Sequence, residues 1–135
     1  MYVSETKLTT RYGETDQMGI IYHANYINYY EVARTEMIRE MGYSYQTMES
    51  DGNMMPVIEV QCKYHRPAYY DEELTIRTIV KELPTSRITF HYEIYNEKQE
   101  LINTGIAVMA FMDSKTRRPC RPPQKLMRII QGSFQ

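Results

Sequence analysis

In the segment ETDQMGIIYHANY a short acid, Asp16, stands three residues before Gly19 and seven before His23, where helical spacing of apolar residues begins. If an extended chain ends near Thr15 and a helix starts near His23, this carboxylate lies beside unpaired N–H groups and the positive end of the helix dipole. That pairing suits acyl transfer: an acid to attack a carbonyl or activate water, and amides to hold the oxygen that turns negative. Gly19 lets the chain reverse tightly, or lets a ligand approach the backbone with no Cβ in the way. A plainer reading makes Asp16 a helix cap. A cap lies immediately before its helix, however, and Met18, Ile20 and Ile21 intervene, so the carboxylate would return to the helix end only through tertiary folding. The His23 imidazole could hold water or relay protons near neutral pH, or simply hydrogen-bond at the helix start; the residues alone do not separate these roles. Tyr22 and Asn25 are expected to shape the pocket and hold the turn, and Tyr26, Tyr29 and Tyr30 to pack the helix.

The elements that must position these groups follow from periodicity. Residues 3–12 are largely β-compatible and predict a first strand. Tyr26, Tyr30, Ala33, Met37 and Met41 recur at steps of four and three, which predicts one helix over 23–41. Gly42 supplies its stop, with Arg34 and Arg39 towards its negative end. Residues 44–55 have loop composition. Four further strands are predicted at Val57–Tyr64, 73–83, about 88–94 and 101–112, the last apolar on both faces as in a strand buried centrally or at an interface. A basic loop at 113–123 and a short helix at 125–130 close the chain. One long helix on one antiparallel sheet is an α+β arrangement, and a single helix covers one face only, leaving the other to water or a second subunit.

Composition bounds what this domain can be. A chain of 135 residues without a linker-like stretch is one domain, residues 1–135. It is long enough to bury a core without staples. Cys62 and Cys120 belong to no metal-ligand or disulfide-framework spacing, which fits a reduced, cytoplasmic setting and predicts no metal. The first ten residues lack the pattern of a signal peptide, and no stretch is long enough to span a bilayer. Sixteen basic against seventeen acidic residues, a net charge of −1, give no electrostatic case for nucleic acid or anionic membrane. Thirteen tyrosines and no tryptophan suit either wet-edged pockets and interfaces or a core that uses Tyr where others use Phe.

The stretch RYGETDQMGIIYHANYINYYEVARTEMIREMG closely resembles the opening of the 4-hydroxybenzoyl-CoA thioesterase-like family, particularly its YbgC-type acyl-CoA thioesterase branch. The likeness continues through KYHRPAYYDEELTI and AVMAFMD and covers nearly the whole chain. It implies a hot-dog fold, a curved five-stranded antiparallel sheet wrapped around a central helix, with active sites at a dimer interface and pairs joining as homotetramers. It also implies an acyl-CoA thioester hydrolase without cofactor, coenzyme A being part of the substrate. Asp16 would be nucleophile or general base, and the His23 amide the oxyanion donor. Gly19, Tyr22 and Asn25 would line the substrate site. Arg66, at a strand end the family shares, reads mainly as an ion-pairing residue near the interface that also reaches the ligand. Arginine suits the phosphates of coenzyme A, and two groups offer it: Arg87 with Ser86, and the loop with Lys115, Arg117, Arg118 and Arg121.

A second hot-dog design places its carboxylate on the central helix, where Glu31 and Glu36 are the candidates; both read better as exposed helix residues. Rival functions are a hot-dog dehydratase or hydratase, and a non-catalytic module binding acyl-CoA or acyl carrier protein. The spacing of Asp16 and His23 resembles the thioesterases. The acyl group, and the choice between coenzyme A and carrier-protein thioesters, stay open.

Overall fold

Alternation of apolar residues builds the sheet, and a helical stripe of tyrosine, alanine and methionine fills its concave side. The computed structural model describes residues 1–134. In chain order the elements are β1 (Tyr2–Thr9), a 3-10 turn (Tyr12–Glu14), α1 (Asn25–Glu40), α2 (Tyr45–Ser50), β2 (Asn53–Met54), β3 (Val57–Tyr64), β4 (Glu73–Val80), β5 (Arg87–Tyr95), β6 (Leu101–Ala110), β7 (Met112–Asp113) and α3 (Gln124–Gly132). Five strands form one antiparallel sheet in the order β1-β4-β5-β6-β3, and β2 pairs with β7 in a two-residue ribbon. The α+β, hot-dog arrangement read from the sequence is the one observed.

Leu74, Ile76 and Val80 of β4 and Ile88, Phe90, Tyr92 and Ile94 of β5 point inward and are buried, as their alternation requires. Against them lie Tyr26, Tyr29, Tyr30, Ala33 and Met37 of α1. Tyr30 sits deepest: its ring stacks on Tyr92 at 4.3 Å and 7°. Tyr92 pairs across the ladder with Gly105, and a Cβ at Gly105 would run into the Tyr30 hydroxyl and ring. The Tyr30 hydroxyl, forced inside, donates to the fully buried Asn103 side chain and lies 3.3 Å from Cys62 Sγ.

Several boundaries depart from the sequence reading, each for a local reason. The first strand ends at Thr9 because Thr10 turns to bond Glu72 and Tyr69, its amide meeting Glu72 O at 2.9 Å and its hydroxyl Tyr69 O at 2.6 Å. The helix starts at Asn25, so His23 lies in the turn before it. At its other end Gly42 takes φ 77°, and the Gly42 and Tyr43 amides return to Arg39 O and Ile38 O, the expected glycine stop. Arg34 is not near that end. It is the tenth helical residue and only 7% exposed, with Nε on the Tyr45 hydroxyl at 3.0 Å and Nη1 on Tyr92 at 2.9 Å. Arg39 does lie in the last turn and pairs with Glu36 on the surface. Residues 44–55 hold a helix, α2, because Ser44 Oγ accepts from Thr47 N at 3.0 Å and Met48 fills a small core with Ile38 and Tyr43. The strand expected over 73–83 stops at Val80, and that expected over 101–112 stops at Ala110, beyond which Phe111 N bonds Ser86 O and the chain leaves for the ribbon. The last helix runs two residues past its expected end.

One carboxylate closes the long loop between β1 and α1. Glu14 Oε1 accepts from Arg11 N at 2.8 Å and the Tyr29 hydroxyl at 2.9 Å, and Oε2 from the Arg11 guanidinium at 3.2 Å. Its backbone carbonyl accepts from Tyr22 N at 2.8 Å and Asn25 Nδ2 at 2.9 Å. Burial alone would raise the Glu14 pKa, but the Arg11 amide, the Tyr29 hydroxyl and the Arg11 side chain outweigh it and hold the carboxyl below its ordinary value.

Two stability measurements test these anchors. Gly105→Ala should cost about 1–3 kcal/mol in chemical denaturation, and less in a Tyr30→Leu background, since the two residues share one clash. Glu14→Gln should cost about 1–2 kcal/mol at pH 7. Because the folded carboxyl titrates below 4.5, its contribution is complete above that pH and fades as pH falls through the lower folded value. The difference between parent and Glu14→Gln should therefore narrow on acidification below pH 4.5.

Candidate active site

The loop from Thr15 to Ala24 folds as a tight reversal against the connection between β3 and β4. Asp16 N bonds Ile20 O at 2.9 Å, Gly19 N bonds Asp16 O at 3.1 Å, and Thr15 bridges Ile21. Gly19 at φ 77° occupies the left-handed region at the bend, a conformation cheap only for glycine. Ile20 bridges Tyr69, Ile21 N bonds Ala68 O at 2.9 Å, and the buried Ile21 side chain pins the loop to the core. Within this frame Asp16 is half-buried, and its Oδ1 accepts the Met18 amide at 2.8 Å. That one bond orients the carboxylate and leaves Oδ2 for other partners.

His23 stands at the other side of the same cleft. Its carbonyl accepts the Tyr64 hydroxyl at 2.8 Å, and the preceding carbonyl, of Tyr22, accepts Asn25 N at 3.0 Å. The His23 N–H makes no hydrogen bond among the described residues. A planar trans peptide points its N–H opposite its C=O, so the bond on Tyr22 O also sets the direction of that amide. The His23 ring lies between Tyr22, with centroids 4.4 Å apart, and Tyr64, at 6.4 Å. Burial, then the Cys62 thiol, push the Tyr64 phenol well above its ordinary pKa.

Asp16, Met18, Ile20, Ile21, His23 and Tyr26 line this 370 Å³ cleft from the loop and helix side, and Tyr64, His65, Arg66 and Pro67 from the end of β3. Its walls are mostly apolar or aromatic, the usual character of a small-molecule site in which few polar groups fix orientation. Arg66 pairs with Glu100 at 3.0 Å, and His65 Nε2 meets Thr104 Oγ1 at 2.9 Å.

Of the residues singled out by sequence, Asp16, His23 and Arg66 meet in this cleft. Gly19, Tyr22 and Asn25 build the turn behind it. Ser86 and Arg87 lie elsewhere, at the end of the sheet where Arg87 pairs with Ala110, whereas Tyr64 pairs with Asn103. Seven residues along β6 separate the two places by about 23 Å. Ser86 instead lines a 700 Å³ groove with Arg121, Arg128 and Met127, and Arg87, Lys115, Arg117 and Arg118 are not among the residues lining it. Glu31 and Glu36 are exposed on α1 and outside the cleft. Sequence reasoning overlooked Glu14 and Tyr64, whose partners lie up to 41 residues away. The spacing of Arg11 and Glu14 is the one available local hint.

A family model described as thioesterase-like superfamily matches residues 10–130. YneP of Bacillus subtilis, provisionally named an acyl-CoA thioesterase, is 35% identical over 119 residues, covering 88% of this chain and 86% of that protein. The acyl-CoA thioester hydrolase YbgC of Escherichia coli is 29% identical over 116 residues, covering 86% of this chain and 87% of its own. The crystal structure of a DHNA-CoA thioesterase from Staphylococcus aureus superposes with a TM-score of 0.93 at 34% identity, covering 99% of this chain and 92% of that one. The match encloses the turn, the long helix and every strand but the first, and on that ground the chain belongs to the thioesterase-like superfamily.

Proposed function

We propose that this protein hydrolyses acyl-coenzyme A thioesters to the free acid and coenzyme A, with Asp16 as nucleophile or general base and the His23 amide as oxyanion donor. The observation that carries the reading is the convergence of a half-buried carboxylate and an unbonded, oriented amide on one apolar-walled cleft. YneP, YbgC and the S. aureus enzyme, named for acyl-CoA hydrolysis, support it.

As general base, Asp16 takes a proton from water while the water oxygen bonds to the thioester carbon. The carbonyl oxygen becomes an oxyanion on the His23 N–H. Collapse re-forms the C=O, breaks the C–S bond, and the leaving thiolate takes up the proton from Asp16. As nucleophile, an Asp16 oxygen bonds to the thioester carbon, the C–S bond breaks and the thiolate leaves; water then opens the mixed anhydride to give the acid and the Asp16 carboxylate, its remaining proton going to the thiolate. In both routes the charge appears on the carbonyl oxygen, where a positioned donor stabilises the transition state more than the ground state. The Arg66 guanidinium beside the resulting acid is already paired with Glu100.

The same proposal includes a second copy. β3 ends the sheet with its outer backbone edge unpaired, and Val57 and Ile58 on it are 50% and 46% exposed, an edge of the kind that pairs with another chain. Two β3 strands paired antiparallel about a two-fold axis bring the beginning of one against the end of the other. That geometry carries the partner's Ser86 groove towards the Asp16 cleft, where Ser86, Arg87 and Arg121 would meet the coenzyme A phosphates. A dimer is thus the minimal assembly, with a homotetramer as a dimer of dimers, and the two thiols suit a cytoplasmic setting.

Purified protein assayed by thiol release against acetyl-, hexanoyl-, benzoyl- and 1,4-dihydroxy-2-naphthoyl-coenzyme A should hydrolyse at least one. On that ester Asp16→Asn should lower kcat by roughly a thousandfold while binding persists. An Asn variant as fast as the parent would remove Asp16 from the chemistry. Failure on all four esters, with turnover of an acyl carrier protein thioester, would move the substrate to the carrier protein.

A further inference from the structure

The oxyanion donor proposed above is a single backbone amide in a turn, and a turn amide is useful only if it is held still. Its peptide group, between Tyr22 and His23, is fixed on one side by the bond from Asn25 N to Tyr22 O. On the other side the chain could still rotate about the His23 Cα, because Ala24, the residue that caps α1, makes no side-chain bond to the helix start. Two contacts limit this rotation: Tyr26 N, at the helix start, reaches His23 O at 3.4 Å, a long bond, and a shorter one comes from outside the loop. The Tyr64 hydroxyl, 41 residues away, donates to His23 O at 2.8 Å.

The Tyr64 ring is well placed to act as a strut. It stands edge-on to Tyr26 at 5.3 Å and 84°, and edge-on to His23 at 6.4 Å and 89°. Tyr26 is only 2% exposed and belongs to the first turn of α1, so the phenol is braced by the helix whose N-terminus it serves. Its backbone is held by the β3–β6 ladder, where Tyr64 pairs with Asn103, the residue that bonds Tyr30 in the core. The bond to His23 O acts across the His23 Cα, on the peptide that follows the donor amide, and reinforces the longer Tyr26 N contact where the helix has not yet begun.

We infer that Tyr64 is a positioning residue for the reaction: by bonding His23 O from β3 it holds the His23 N–H on the thioester oxygen, without itself taking part in proton transfer. The inference rests on the assignment of the His23 amide as oxyanion donor. Misplacing a catalytic group by about an ångström costs on the order of a hundredfold, and losing an oxyanion donor a hundred- to a thousandfold. Tyr64 removes part of that disorder, so its hydroxyl should be worth about ten- to fiftyfold in kcat.

The test is Tyr64→Phe, which keeps the ring and its packing and removes only the donor, assayed on the panel ester hydrolysed fastest. The expected result is a ten- to fiftyfold fall in kcat with KM within about twofold and an unchanged thermal midpoint. A second readout isolates the amide. In the Asp16→Asn background, where the ester survives binding, its thioester carbonyl labelled with ¹³C should show an infrared stretch lowered by the His23 N–H, and adding Tyr64→Phe should move it back towards the value in water. A kcat equal to the parent's, or a carbonyl stretch unmoved by Tyr64→Phe, overturns the positioning role. These outcomes are separable from failure of the function itself: Asp16→Asn at parental activity sinks the thioesterase mechanism whatever Tyr64 does, whereas a dead Asp16→Asn with a fully active Tyr64→Phe sinks only the strut.

Discussion

The height at which α1 sits above the sheet is set by one aromatic ring meeting one missing side chain. Tyr30 lies flat on Tyr92 and reaches across Gly105, its hydroxyl ending on the buried Asn103. Any side chain at Gly105 lifts the ring, and with it the helix. The phenol that fills this gap is a polar group in a dry place. Burial and the Cys62 thiol raise its pKa far above that of a free tyrosine, so it stays a neutral donor, and Asn103 is its obligatory partner. Leaving the Asn103 side chain unpaired would cost about 1–3 kcal/mol. Close packing and polar satisfaction are therefore the same requirement here, met by three residues on α1, β6 and β3.

Everything at the cleft inherits that placement. With α1 seated, Tyr29 is brought over Glu14 and Tyr26 over Tyr64, so the loop is clamped at its start and the edge strand at its end by consecutive faces of one helix. Arg34 follows from the same seating. A guanidinium that is 7% exposed is costly unless its donors are used, and Tyr92 and Tyr45 accept two of them while Phe90 lies 5.9 Å beneath. It is a cation solvated by phenols and aromatic faces, which gives the abundance of tyrosine a physical purpose: large rings for the core that still carry a hydroxyl where the core meets a charge or a turn.

What periodicity can reach, it reached. The inward faces of β4 and β5 and the Tyr26–Met41 stripe were legible because burial repeats every two or every 3.6 residues. The chain's irregular parts were not. α2 has six residues, too few to display a period, and depends on the Ser44 cap; Arg34, four residues after Tyr30 and three before Met37, flanks the buried stripe, and the phenols across the core explain how a guanidinium is held there. At the site, Asp16 and Gly19 were legible as residue types. The His23 amide was legible only as a position, since a backbone group carries no letter of its own, and the contacts around it, from Asn25, Glu14 and Tyr64, span up to 41 residues.

The atom proposed to stabilise the transition state belongs to every non-proline residue, so replacing the His23 side chain leaves the donor in place, while altering the residues that aim it does not. Under the proposed mechanism the chemical burden would fall on Asp16 and the geometric burden on Gly19, Asn25, Glu14 and Tyr64, none of which need share an atom with the reacting carbon. Because Tyr64 is also the last residue of the exposed edge strand, the amide is mechanically tied to the strand through which a second copy would join. Under the proposed pairing, joining of that edge and aiming of the amide would draw on one element, and a β3 strand held straight by a partner would keep its terminal phenol on His23.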